Sequence, residues 1–319
     1  MACPNCRATL STGLRCGTCE VTFRERSGIL RLLPSAGATN ASVQEFYDVQ
    51  PFPDYEELDS PRALRERAAK SQFARLLDEQ IPLAGCTLEA GCGTGQLTNY
   101  LALSGRTVVG LDFCAASLEL ASAFRDRFAL TGAHFAQADI FHAPFAKESF
   151  DTVLSLGVLH HTTDPEAAFH ALVEVLKPGG HFVLGLYNRY ARIPTRLRGF
   201  AIRLFGMRLL GKLDPVVRND RKSARRQRAW LRDQYFHPLE ATHTVDEVLR
   251  WFRVAGFEFV NGIPKFVFGE KFEAKEQLFE PGIPGSRWEH LLCQAGWAFS
   301  HGWEGGLFVM IGRKPYPAT

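Results

Sequence analysis

Short apolar runs alternate with helical patterns through the middle of the chain: Thr87 to Ala90, Thr107 to Leu111, His134 to Ala138, Asp151 to Leu156 and His181 to Tyr187. Runs of this length, bounded by glycine or acidic residues, read as strands buried on both faces. Their alternation with helices predicts a parallel sheet covered on each side by right-handed crossovers. Gly256 to Gly262 and Gly306 to Arg313 read as two more strands. Apolar residues at helical spacing predict helices over Leu97 to Leu103, Cys114 to Ala129 and Val245 to Ala255. A longer one is predicted over Pro61 to Gln80, where Leu64, Ala68, Phe73, Leu76 and Leu77 share a face behind a Ser60-Pro61 cap.

The turn after the first run is rich in glycine. Gly91, Gly93 and Gly95 let the backbone turn tightly and approach a ligand with no Cβ in the way, and the helix that follows presents amides to an anion. A purely structural strand-to-helix turn uses glycine for the same conformational reason. Asp112 and Asp139 close the second and third runs. Asp112 stands where doubly wound sheets hold ribose hydroxyls, about twenty residues past the glycine turn; capping the helix that begins near Cys114 is its other natural use.

Composition adds bounds. With 319 residues, 46% of them hydrophobic and 22% charged, the chain can bury one large core with additions. No unbroken apolar run approaches the roughly 20 residues of a membrane-spanning helix, and Met1 to Cys6 lacks the order of a secretion signal, so a cytoplasmic protein is expected. Of eight cysteines, Cys86, Cys92, Cys114 and Cys293 are scattered as free thiols, whereas Cys3-Pro-Asn-Cys6 and Cys16-Gly-Thr-Cys19 form two knuckles. That spacing gathers Cys3, Cys6, Cys16 and Cys19 around one structural Zn2+ with no open coordination position. So short a module draws its folding free energy mostly from the metal, and docking or simple stapling of the amino terminus are its uses. With Val21 to Phe23 and Gly28 to Pro34 closing it, the module resembles the Trm112-like zinc ribbons found ahead of methyltransferase domains.

Glu89-Ala-Gly-Cys-Gly-Thr-Gly95, Val109-Gly-Leu-Asp112, Gln137-Ala-Asp139 and Phe150 to His161 resemble, in this order, the four successive motifs of class I S-adenosylmethionine-dependent methyltransferases. Lys177-Pro-Gly-Gly180 matches the turn that the family places ahead of strand five. Glycines spaced Gly-x-Gly-x-Gly favour this family over dinucleotide-binding enzymes, which show Gly-x-Gly-x-x-Gly. The resemblance covers residues 83 to 188. It implies an α/β fold with a Rossmann-like seven-stranded sheet, mostly parallel with the last strand reversed, here joined to a small N-terminal zinc ribbon and an inserted helical cap. It also implies S-adenosyl-L-methionine as cofactor: Gly91, Gly93 and Gly95 against the methionine part, Glu89 near the amino group, Asp112 on the ribose, Asp139 and Ile140 at the adenine, Leu156 beneath, and Cys92, Gln96 and Phe113 completing the contacts.

Methyl transfer needs aligned reactants and, where the acceptor carries a proton, a base. His160, His161 and Tyr187 are the catalytic candidates, with Asn188 as an orienting group. Histidines placed like His160 and His161 also pack or hydrogen-bond beside the cofactor. Outside the motifs, the organisation expected is a zinc ribbon over 1-34, then a linker, aromatic lid and leading helix over 35-82. The methyltransferase domain follows over 83-319, with a basic helical insertion at 189-241 and an aromatic cap section at 264-304. Phe46, Tyr47, Pro51, Phe52, Pro53 and Tyr55 suit a lid over a ligand or a strap on the core. From Arg189 to Arg232 there are fourteen Lys or Arg against two Asp, with Ile193, Leu197, Phe200, Ala201, Leu204, Leu209 and Leu210 near helical spacing. That window fits a solvated face, a site for RNA or another anionic substrate, or a membrane-surface helix. Tyr235, His237 and His243 suit either an acceptor pocket or local capping, and the aromatics from Phe266 to Trp303 either a pocket or packing. The expected activity is methylation of a small molecule at O or N. An rRNA or tRNA base methyltransferase is the alternative, and a non-catalytic adaptor that binds the cofactor is a third reading.

Overall fold

The computed structural model describes residues 1–35, 51, 55, 58–206, 214, 227, 230, 231, 234–300 and 305–317. The strands are β1 (Arg24–Arg26), β2 (Ile29–Arg31), β3 (Cys86–Ala90), β4 (Thr107–Asp112), β5 (Ala133–Gln137), β6 (Phe150–Leu156), β7 (Leu176–Tyr187), β8 (Glu258–Ile263) and β9 (Leu307–Arg313). They form one sheet in the order β1-β2-β5-β4-β3-β6-β7-β9-β8. From β5 to β7 neighbouring strands are parallel, and β9 runs antiparallel to both β7 and β8. The expected seven strands are therefore present, with the last reversed. The expected count is corrected to nine, because the amino-terminal hairpin joins the sheet: β2 pairs with β5 in parallel, Leu30 opposite Ala136. The hairpin turns through Ser27 and Gly28, both at positive φ, the backbone that a two-residue turn between twisted strands requires. Strand β7 also begins earlier than its apolar run, at Leu176, so Lys177 to Gly180 lies inside the strand rather than ahead of it.

Helices cover both faces. On one lie α1 (Pro61–Ala68), α2 (Gln72–Gln80), α3 (Gln96–Ala102) and α4 (Ala115–Arg127), which bury Leu64, Leu76, Leu77, Leu101, Leu118 and Phe124. On the other, α5 (Pro165–Val173) and α7 (Val245–Val254) bring Phe169, Trp251 and Phe252 together with Phe182 and Phe257. Between them in sequence is α6 (Ile193–Phe205), and α8 (Arg287–Ser300) precedes β9. The continuous helix expected over Pro61 to Gln80 is in fact two. Ser71 caps a second start by accepting from the Ala74 amide at 3.3 Å, and Ala69 and Lys70 turn between them.

Helix α7 positions the far end of β7 and is closed by a reciprocal cap: Glu247 N donates to Thr244 Oγ1 at 3.2 Å, while Thr244 N donates to Glu247 Oε2 at 3.4 Å. Replacing Thr244 by Ala is expected to lower unfolding stability by about 1 kcal/mol in urea titrations, with the slope unchanged. A loss under a few tenths would show that Glu247 and His243 hold the helix start without it.

Candidate cofactor and acceptor site

The strand register lines up the carboxyl ends of β3, β4, β6 and β7, with Glu89 opposite both Gly110 and Leu154, and Leu156 opposite Gly185. Gly91, Gly93 and Gly95 all sit at positive φ, and a Cβ on Gly91 would overlap Val158 while one on Gly95 would overlap Ala121 and Phe135. Two amides of the turn, Gly91 N and Cys92 N, donate to Leu111 O at 2.7 and 3.0 Å. Asp112 braces the rest. Its Oδ2 accepts from Gly93 N and its Oδ1 from Cys114 N, both at 2.8 Å. The residue in the capping position of α4 is Cys114, whose sulfur accepts from Ser117 N, so Asp112 is not that cap.

Glu89 is buried at the end of β3 and accepts a short hydrogen bond from Thr98 Oγ1. Burial pushes its carboxyl up to about 8, and the neighbouring negative Asp112 adds to this against the opposing Thr98 bonds. Cys92 is buried in the same turn, and burial likewise raises its thiol well above the ordinary range. Gln96, the first residue of α3, and Phe113 are half-buried. Asp139 Oδ1 accepts from Phe141 N at 3.0 Å and starts a short turn over Ile140–His142, in which Ile140 is buried. Gln137 ties this edge together by donating to Phe113 O at 2.9 Å and accepting from Arg31.

Across β6 and β7 lies a second group. His160 is wholly buried, its ring 3.9 Å from the Tyr187 centroid and 4.2 Å from that of His161. Neither nitrogen of His160 has a hydrogen-bond partner among the described residues. Burial holds His160 well below its ordinary range, and the neighbouring His161 and Arg192 act in the same direction. His161 donates from Nδ1 to Leu239 O at 2.7 Å, stacks on His237 at 3.6 Å, and is lowered by burial to about 4. Segment 237–243 straps over this pair: Ala241 N donates to His160 O at 2.8 Å and His243 N to Tyr187 O at 2.9 Å. His243 donates from Nδ1 to Glu247 at 3.0 Å.

His237 therefore lies against His161, while His243 reaches Tyr187 through its backbone and Glu247 at the helix start through its ring. Tyr235 is elsewhere, packed with Ile202 and Leu231 and donating to Asp214 at 2.7 Å. Asn188 is buried, with Nδ2 donating to Gln294 Oε1 at 2.8 Å and Oδ1 accepting from the amides of Tyr190 and Ala191, so it anchors backbone. Two neighbours, Arg192 and Gln234, were not anticipated. Arg192 is fully buried, its guanidinium carbon 3.9 Å over the Tyr187 ring, pairing with Glu240 and donating to Gly305 O. Gln234 Nε2 donates to Tyr187 Oη at 2.9 Å. Within the connector, Tyr55 donates to Thr94 O at 2.8 Å and accepts from Asn99, which joins it to the glycine turn; Phe46, Tyr47, Phe52 and Pro53 lie outside the described residues. Phe266 and Trp297 of the carboxyl-terminal section are buried in the core and Phe279 packs on His181, whereas Trp288 and Phe268 face solvent. Trp303 lies outside the described residues.

At the amino terminus the ligand sulfurs of Cys3, Cys6, Cys16 and Cys19 lie within 4.8 Å of one another. Arg7 and Glu20, each directly after the second cysteine of a knuckle, both adopt positive φ, so the two knuckles repeat one backbone shape.

Among known proteins, the family described as Methyltransferase domain matches residues 88–184, the span that runs from β3 into β7. The ubiquinone biosynthesis O-methyltransferase of Pseudomonas putida is 30% identical over 164 residues, which cover 49% of this chain and 67% of that one. The chain belongs to the S-adenosylmethionine-dependent methyltransferases. An uncharacterised protein of Synechococcus sp. is 27% identical to this methyltransferase over 264 residues, 75% of the chain, which spans only 63% of that relative's length. The solved structure of geranyl diphosphate C-methyltransferase from Streptomyces coelicolor, in complex with Mg2+, geranyl diphosphate and S-adenosyl-L-homocysteine, shares the fold. Its TM-score is 0.50 at 12% identity, covering 88% of this methyltransferase and all of that chain. No helix among the described residues is long and apolar enough to cross a membrane.

Proposed function

We propose that this methyltransferase acts on an oxygen or nitrogen nucleophile of a small molecule, oxygen first, held against His160 and Tyr187. The observation that carries the reading is the burial of His160 as a neutral imidazole with neither nitrogen engaged among the described residues, beside the strand ends where the family's acceptor pocket begins. A buried polar group left unpaired is costly, and a ligand hydroxyl or amine would pair it. The name of the Pseudomonas putida relative supports oxygen.

The residues present fit the cofactor. The Gly91 and Gly95 positions have no room for a Cβ, Glu89 is a buried acid suited to an ammonium group, and Asp112, Phe113, Asp139 and Ile140 follow along one edge. Cys92, Gln96 and Leu156 complete the proposed contacts. When bound, the cofactor supplies a sulfonium methyl group open to displacement. His160 then takes the acceptor's proton, Tyr187 and the His161 ring wall the pocket, and the 237–243 strap keeps water out. The four amino-terminal thiolates fit one structural zinc ion. The insertion 189–241 and the section 264–304 are proposed to cap the acceptor side of domain 83–319, behind the ribbon 1–34 and the connector 35–82.

A second reading, RNA base methylation, rests on the basic window from Arg189 to Arg232. Arg225, Arg226 and Arg228, which would test it by replacement with Glu, lie outside the described residues. Incubating the protein with methyl-labelled cofactor, a metabolite extract and total RNA separates the readings. Label in extractable small molecules is expected. Label in RNA would replace this proposal with the second, and no S-adenosylhomocysteine formed despite cofactor binding would leave the adaptor.

The Glu89 assignment carries its own test. In the free protein the carboxyl is protonated below about pH 8, and an ammonium ligand favours its ionised form, so binding releases a proton. Affinity for S-adenosylhomocysteine is therefore expected to rise with pH up to about 8, approaching tenfold per unit, and then to level off. Titration calorimetry in buffers of different ionisation heat reads both the slope and the proton. A flat profile in the parent protein, or an unchanged slope in Glu89→Gln, would remove Glu89 from the amino-group site.

A further inference from the structure

Helix α6 turns its apolar side outward. Ile193, Leu197, Phe200 and Leu204 recur four, three and four residues apart, one stripe down the helix, and they are 45%, 65%, 65% and 61% exposed. The opposite side meets the protein, where Thr195 is buried, Arg198 donates to Thr195 Oγ1 and Ile202 packs with Leu231 and Tyr235. The helix sequence carries Arg196, Arg198 and Arg203 and no acidic residue, and it opens the window of fourteen Lys or Arg against two Asp. Arg196 is exposed on the flank of the stripe.

From this we infer that α6 docks the protein on an anionic lipid bilayer, lying in the plane of the interface with the Ile193-Leu197-Phe200-Leu204 stripe among the acyl chains. Arg196, exposed on the flank of that stripe, then meets acidic headgroups. Each feature needs this occupant. A four-residue apolar stripe about 17 Å long is not what a solvated helix presents. RNA would use the charge and leave those side chains in water, and a second copy of the same face would set like charge against like. An interfacial helix uses both, with its strength scaling with buried apolar area and with attraction to anionic lipid.

Flotation of the full-length protein tests this, with vesicles of phosphatidylcholine alone and of phosphatidylcholine with phosphatidylglycerol in equal parts. Partition onto the anionic vesicles is expected to be at least about tenfold stronger, and to weaken as salt shortens the reach of the charges. The triple variant Leu197→Ala, Phe200→Ala, Leu204→Ala is expected to lose roughly tenfold or more of that partition. Its S-adenosylhomocysteine affinity and melting temperature should stay at parent values, because the three side chains are mostly in solvent. A parent protein that does not float with anionic vesicles, or a triple variant that floats equally well, overturns the inference. So does a stripe-dependent dimer in sedimentation without vesicle binding, which would give the face to a second copy. None of these readouts involves methyl transfer, so they stand or fall apart from the acceptor reading.

Discussion

Stripping the zinc ion proposed for the four amino-terminal thiolates is expected to unfold residues 1–34 and, through them, to weaken cofactor binding about tenfold. The first part follows from size. The ribbon's buried side chains are few, chiefly Ala2, Cys3, Leu10, Cys16, Phe23, Ile29 and Leu32, and a closed four-thiolate zinc site contributes roughly 10–16 kcal/mol to folding in isolated zinc-finger peptides. The second follows from what the ribbon touches. Strand β2 pairs with β5 and Leu32 N donates to Gln137 O at 2.8 Å, while Ala2 N donates to Pro144 O at 2.9 Å and Arg7 Nη1 to Ala143 O at 2.5 Å. Those partners bracket Asp139 and Ile140, the proposed adenine contacts, and Gln137 itself reaches Phe113 O. Loss of the hairpin leaves β5 as an unpaired edge and frees the 138–144 segment, and a tenfold drop corresponds to about 1.4 kcal/mol of lost preorganisation. Elemental analysis, circular dichroism and S-adenosylhomocysteine calorimetry before and after chelation give the answer, with Cys16→Ser as the covalent version. Full affinity in verified metal-free protein would uncouple the ribbon from the cofactor, and absence of stoichiometric metal in the native protein would remove the zinc.

Much of the sheet is legible in the sequence for a physical reason: strands buried on both faces are rich in apolar residues, and β3 and β6 run into a glycine while β4 and β5 close at an acid. Thus Thr87 to Ala90 and Thr107 to Leu111 fall within a residue of β3 and β4 at either end. Backbone pairing leaves no such mark. Val21 to Phe23 and Gly28 to Pro34 read only as segments closing the amino-terminal module, and the parallel bonds of β2 to β5 are made by amides and carbonyls that any residue owns, so the sheet is read two strands short. The break between α1 and α2 is hidden likewise, because Leu64, Ala68, Phe73, Leu76 and Leu77 keep a helical spacing across it and no proline or glycine interrupts. In the site, Glu89 and Asp112 announce themselves by position in a motif. Arg192 does not: it is one basic residue among fourteen, and only the fold reveals that it is buried against Tyr187 while Arg196, four residues on, is in water.

Replacing His160 by Asn is expected to lower kcat by roughly a hundredfold to ten-thousandfold at saturating cofactor, with S-adenosylhomocysteine affinity nearly unchanged, the span typical for removal of a positioned general base. The sign of the pH dependence sharpens this. A histidine at its ordinary value near 6.5 loses its basic form as pH falls through that point. His160 lies well below it because burial penalises the cation, and the positive Arg192 beside Tyr187 opposes protonation further. At saturating cofactor the parent kcat should therefore hold constant from pH 8 down to about 6, failing only in more acid solution. At low cofactor the rate should already fall below pH 8, because Glu89 must give up its proton for binding. The same burial has a stability cost with the same direction. Unfolded His160 and His161 protonate near 6.5 whereas the folded rings do not, so the folded state loses free energy as pH drops below that value. Two limbs in two different kinetic parameters separate a base from a packing residue. If His160→Asn keeps the parent kcat and its pH profile, the ring only fills space beside Tyr187. If kcat collapses together with cofactor affinity, the substitution has disturbed the strand ends, and His161→Asn, whose Nδ1 is already committed to Leu239 O, serves as the matched control that should change kcat least.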